Sequence, residues 1–181
     1  MRLFWGVKSL LRSWLGVDQP EAGAEQDALR GLLDALDHLE PARARYLAQF
    51  AYLLGRIAHA DQHVSPEETH TMEALVERES GIPVDQAMLV VGLAKSSNLL
   101  FGGTDNFLVA REFAADATHE QRLALLRCLF AVSIAENDIS VAEEREIQRI
   151  ARELRVEQTD LIALRLEHRR HLPGLTDKTA R

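Results

Sequence analysis

Apolar residues recur at spacings of three and four along almost the whole chain. Leu29, Leu32, Leu33 and Leu36 open the series, then Tyr46, Phe50, Leu53, Leu54 and Ile57, then Met72, Leu75 and Val76. Gly81-Ile82-Pro83 stops one helix and starts another, which carries Met88, Leu89, Val91 and Leu93. Leu123, Leu126, Phe130 and Ile134 follow, then Ile147, Ile150 and Leu154. Such spacing lays an apolar stripe along a helix of 3.6 residues per turn. Alternation with a period of two, the mark of a half-buried strand, does not run far enough anywhere to predict one. The pattern predicts an all-α fold. Ser96-Ser97-Asn98 and Gly102-Gly103-Thr104-Asp105 read as loops, with Thr104 or Asp105 capping a short helix through Phe107, Leu108 and Phe113. A last helix is expected from Asp160 to Arg170, closed by Pro173-Gly174.

Residues 1–17 predict a separate amphipathic helix. Leu3, Phe4, Val7, Leu10, Leu11, Trp14, Leu15 and Val17 fall on one face, and Arg2, Lys8 and Arg12 on the other. Residues 18–28, which include Pro20 and Gly23, read as a linker. Residues 29–171 then form the helical domain, and 172–181 a basic tail.

Two stretches nearly coincide. Ala60-Asp61-Gln62-His63-Val64-Ser65-Pro66-Glu67-Glu68 aligns with Ala135-Glu136-Asn137-Asp138-Ile139-Ser140-Val141-Ala142-Glu143, without a gap, at an offset of 75 residues. The correspondence continues outward. Phe50, Leu54 and Ile57 match Leu125, Leu129 and Val132, and Met72 and Leu75 match Ile147 and Ile150. Matching apolar faces at one offset predict two helical hairpins related by a pseudo-twofold. Each turn contains Ser-x-x-Glu, a capping box in which serine and glutamate satisfy each other's backbone amides. Capping accounts for Ser65, Glu68, Ser140 and Glu143.

It does not account for Asp61, Glu136 and Asp138. Facing carboxylates repel unless a proton or cation relieves them, and hard oxygen ligands suit Ca²⁺, Mg²⁺ or Mn²⁺. A solvated acidic turn is the competing reading. An EF-hand is excluded, because its twelfth position would be Met72 or Ile147 rather than a bidentate glutamate. His59 and His63 have zincin spacing, but the residue after His59 is Ala60, not glutamate. The sequence contains no nucleophile constellation, phosphate loop or dinucleotide fingerprint.

Charge narrows the classes further. The net charge of −7 disfavours nucleic-acid binding, which needs a basic face. The single cysteine, Cys128, excludes an internal disulfide framework and reads as a small core residue. Residues 1–17 carry three cations and no acid, whereas residues 18–40 carry seven acids against Arg30. No apolar run reaches the roughly 18 residues of a membrane span.

The doubled pattern Ala-[Asp/Glu]-x-x-[Val/Ile]-Ser-x-x-Glu in an all-helical chain resembles the TerB-like superfamily. This group includes bacterial tellurite-resistance TerB proteins and the N-terminal domain of DjlA-type co-chaperones. The resemblance covers roughly residues 42–156. It implies a bundle of about seven helices and a possible divalent cation near Asp61 and Glu136. The chain departs from the pattern at Gln62 and Asn137, where the family usually has glycine, and at Glu136, where it usually has aspartate. The resemblance also suggests stress-linked work at the inner membrane face.

The expectation is therefore a non-enzymatic, cytoplasmic scaffold for a protein partner. It would be held peripherally on an anionic membrane surface through residues 1–17, with a possible cation site at Asp61, Glu136 and Asp138. The alternative is a metal-dependent sensor of Ca²⁺ or Mn²⁺. Docking of residues 1–17 on the bundle or on a second chain competes with the membrane reading.

Overall fold

The structure, a computed structural model, describes residues 24–58, 66–96, 106–136 and 138–172. Within them are eight α-helices and no strand, as the periodicity predicted. In order they are α1 (Ala24–Asp37), α2 (Pro41–Ala58), α3 (Pro66–Ser80), α4 (Val84–Ser96), α5 (Asn106–Asp116), α6 (His119–Glu136), α7 (Val141–Glu153) and α8 (Gln158–Glu167). A 3-10 turn, Arg169–His171, follows α8. The amphipathic segment 1–17 lies outside the described residues. Among the described residues, no helix is long and apolar enough to cross a membrane.

Two boundaries correct the sequence reading. The stretch 18–28, expected as a linker, is helical from Ala24 onward. Glu25, Gln26, Ala28 and Leu29 are good helix formers, and Leu32 and Leu36 give that helix a buried side. The final helix ends at Glu167 instead of running to Arg170, because the chain tightens there into the 3-10 turn.

The core is built on α2 and α6. Leu47, Phe50, Leu53 and Leu54 of α2 are fully buried, as are Leu125, Leu126, Leu129 and Phe130 of α6. Burial follows the offset of 75. Phe50 and Leu125, Leu54 and Leu129, Ile57 and Val132, and Met72 and Ile147 are buried pair by pair. The second helix of each repeat reaches the other repeat: α3 packs on α6, and α7 packs on α2 as well as on α6 of its own repeat. Each repeat thus covers part of the other's apolar surface, which favours two-state unfolding of the bundle. Cys128 lies in this core, and burial pushes its thiol up to about 12. It has the character of an inert core residue, not a reactive thiol.

α5 joins through aromatic packing. Phe113 is fully buried, stacks on Tyr46 at 5.4 Å and meets Phe50 edge-on at 6.4 Å. Arg43 lies over the Tyr46 ring, 5.2 Å from its centre, and donates to Gln86 of α4. Burial raises the Tyr46 hydroxyl to about 12, against the opposing charge of Arg43. Gly81, with φ of +67°, makes the sharp turn from α3 to α4 in a conformation that L side chains rarely adopt.

Candidate functional site at the repeat turns

The second acidic turn is described in full apart from Asn137 and the side chain of Glu136. Ser140 caps α7 as predicted. Its hydroxyl accepts from the Glu143 amide at 3.2 Å, and its own amide donates to Glu143 Oε2 at 2.8 Å. Ser140 and Glu143 are therefore committed to the helix start. Asp138 is exposed and is partnered from far along the chain, its Oδ1 lying 3.0 Å from His171 Nδ1. The Ile139 amide donates to the His171 carbonyl at 2.9 Å, and Ile139 and Leu172 are both buried. A strap from the chain's C-terminal side is thus fastened across the turn by one side-chain contact and one backbone hydrogen bond. Sequence reasoning missed His171, because a contact across 33 residues leaves no periodic trace.

Asp61, His59, His63 and Ser65 lie outside the described residues. Among the expected ligands only the Asp138 side chain is described, and His171 holds it. No group of three potential metal ligands gathers among the described residues. His70 is exposed and meets Glu73 one turn along α3 at 3.4 Å, an ordinary surface pair.

The charged groups that do gather join the repeats. Arg56 of α2 has a side chain only 4% exposed, set between two carboxylates of α7. Its Nη1 donates to Glu153 Oε2 at 2.6 Å, while Nε and Nη2 donate to Glu146 Oε1 at 2.9 and 2.5 Å. Burial alone would lower the guanidinium pKa, but the hydrogen bonds from Arg56 to Glu153 and Glu146 outweigh it and raise the value. Arg149 approaches Glu146 from the solvent side at 3.4 Å. The network therefore pairs two cations with two anions across the interface between repeats.

A second arrangement repeats the internal symmetry. Thr69 and Glu144 are equivalent at the offset of 75, and each binds a cation from the helix that follows its own. Lys95 of α4 donates to Thr69 Oγ1 at 2.6 Å, and Arg165 of α8 donates to Glu144, its Nε at 3.1 Å. Gln148 also donates to Glu144 at 3.3 Å, which satisfies this nearly buried carboxylate further.

His168, where α8 ends, stacks on Phe130 at 5.2 Å. Burial lowers its pKa below 6.5, the effect of Glu167 and Glu79 notwithstanding. The folded state thus holds the neutral ring, while the unfolded chain takes up a proton near pH 6.5. The stability this ring contributes is present above that pH and is lost as pH falls below it. Urea midpoints at pH 7.5 and 5.0 should show that drop, and His168→Phe should make it smaller. An unchanged drop would assign it to other groups.

The fold and these contacts define an all-helical bundle of two interlocked repeats, joined by a buried charge network. A family model described as Tellurite resistance protein TerB matches residues 47–166, which is more than half of the chain. The chain belongs to the TerB family. A search of curated proteins and a search of solved structures each found no match.

Proposed function

We propose that this TerB-family chain is a non-enzymatic interaction module at the cytoplasmic face of a membrane, where it binds a protein partner. The observation that carries the reading is the composition of residues 1–17. Coiled as a helix they would put eight apolar residues on one face and three cations and no acid on the other, with Trp5 and Trp14 suited to the headgroup boundary. The acidic segment that follows would be repelled by anionic lipid and would hold the bundle off the surface. Three cations at about 1 kcal/mol each predict roughly 100-fold stronger partitioning onto anionic vesicles than for a chain that begins at Asp18. Co-sedimentation measures it. Equal partitioning of the two chains would return residues 1–17 to the bundle or to a dimer contact.

A divalent-cation site is the second reading, in which the module becomes a sensor of Ca²⁺ or Mn²⁺. It is motivated by the equivalence of Asp61 and Glu136 at the offset of 75, with Asp138 nearby in sequence. A cation that used Asp138 would compete with His171 for its carboxylate. Calorimetry with calcium, magnesium or manganese at millimolar concentration should give heat that Asp61→Asn with Glu136→Gln removes. No heat with any of the three would leave these acids as solvated turn residues.

A further inference from the structure

The outer face of α8 has a counterpart in the first half of the chain, on α4. The two helices start 74 residues apart, at Val84 and Gln158. At that offset Gly81 matches Arg155, the two described residues with positive φ. Buried Ala87 and Val90 match buried Leu161 and Leu164, and exposed Met88 matches exposed Ile162. Gly92 then matches Leu166. The surface at Gly92 is covered by α1, with a Leu32 methyl 3.0 Å from where a Gly92 Cβ would stand. The surface at Leu166 is bare among the described residues, leaving Leu166 59% and Ile162 44% exposed.

A break in the internal symmetry accounts for the difference. α5 precedes α6 in the chain as α1 precedes α2. Yet α5 packs on α2 and α7, drawn there by the Phe113 cluster, and leaves α8 uncovered. Beyond the stripe of Ile162 and Leu166 stand Arg169 and Arg170, both exposed and neither in an ion pair with another described residue.

We infer that this face of α8 docks an acidic amphipathic helix of a partner protein. α1 shows what such a ligand looks like on the equivalent face, since it carries Glu25, Asp27, Asp34 and Asp37 against one arginine. A helix can set its acids beside Arg169 and Arg170 and keep them away from Glu157 at the far end of α8, with only Glu167 on the arginine end. A uniformly anionic lipid surface cannot. The inference rests on the interaction-module reading. Membrane attachment is read separately, through residues 1–17, so either can fail alone.

The test uses a labelled, end-capped peptide of residues 24–37 titrated with the full chain. Saturable binding is expected. Leu166→Glu, at an exposed position, should weaken it roughly tenfold or more, the worth of one buried leucine. Arg169→Gln with Arg170→Gln should weaken it several-fold, and Met88→Glu on α4 should leave it unchanged. No saturable binding at millimolar peptide, or binding indifferent to Leu166→Glu, would overturn the inference. Binding that appears only after removal of residues 1–17 would give the face to the chain's own N-terminal segment. Vesicle binding by a chain starting at Asp18 that Leu166→Glu abolishes would give it to lipid. A dimer that the same substitution dissociates would give it to a second copy.

Discussion

Arg56→Met is expected to lower the free energy of unfolding by about 3–5 kcal/mol at neutral pH. Methionine keeps most of the aliphatic stem, so the loss is electrostatic rather than a matter of volume. Glu146 and Glu153, 24% and 12% exposed in their side chains, would be left facing each other without the guanidinium that now separates them. Arg149 reaches only Glu146 and cannot replace both contacts. Replacing all three residues by apolar ones of similar size should recover most of the stability, because an intact buried network is worth little over good packing. Urea denaturation measures both. A deficit below about 1 kcal/mol in the single variant would mean that water enters the site and screens the carboxylates.

Phe113→Ala should cost about 3–5 kcal/mol, the range for deleting a large aromatic from a close-packed interior. The ring is fully buried and is the main apolar anchor of α5 on α2. Its removal also opens Tyr46 to water. Burial now holds that hydroxyl at about 12, and in the variant it should fall back toward 10. Ultraviolet titration of the folded variant reads that change independently of stability. The sign for the wild type follows directly. The unfolded chain ionises Tyr46 more readily, so stability is lost as pH rises above 10. A variant with lowered stability and an unchanged tyrosine titration would show that α5 had collapsed back onto the ring.

The repeat was legible because it is written in apolar positions. Phe50 with Leu125, and Met72 with Ile147, mark the core of both halves, and the capping box at Ser140 appears where its sequence places it. The contacts that tie the halves together were not legible. Arg56 has Ala131 as its equivalent, and Glu146 and Glu153 have Thr71 and Arg78, so the network obeys no repeat. The Asp138–His171 contact depends on how the strap returns, which no local pattern encodes. Pro20 and Gly23 masked the start of α1. The uncovered face of α8 becomes visible only once α5 is seen to pack elsewhere than α1 does.

The crossed packing of the repeats also governs when the chain can fold during its own synthesis. α2 and α3 can pack early on α4, but the sides they turn to α6 and α7 stay uncovered until those helices are made. At about 5–20 residues per second the 75 residues between equivalent positions take roughly 4–15 s to appear. For that interval α1 to α4 can pack on one another while one apolar side of the first half stays open. Such a nascent chain suits capture by holding chaperones, and it becomes independent of them only when α7 has been made.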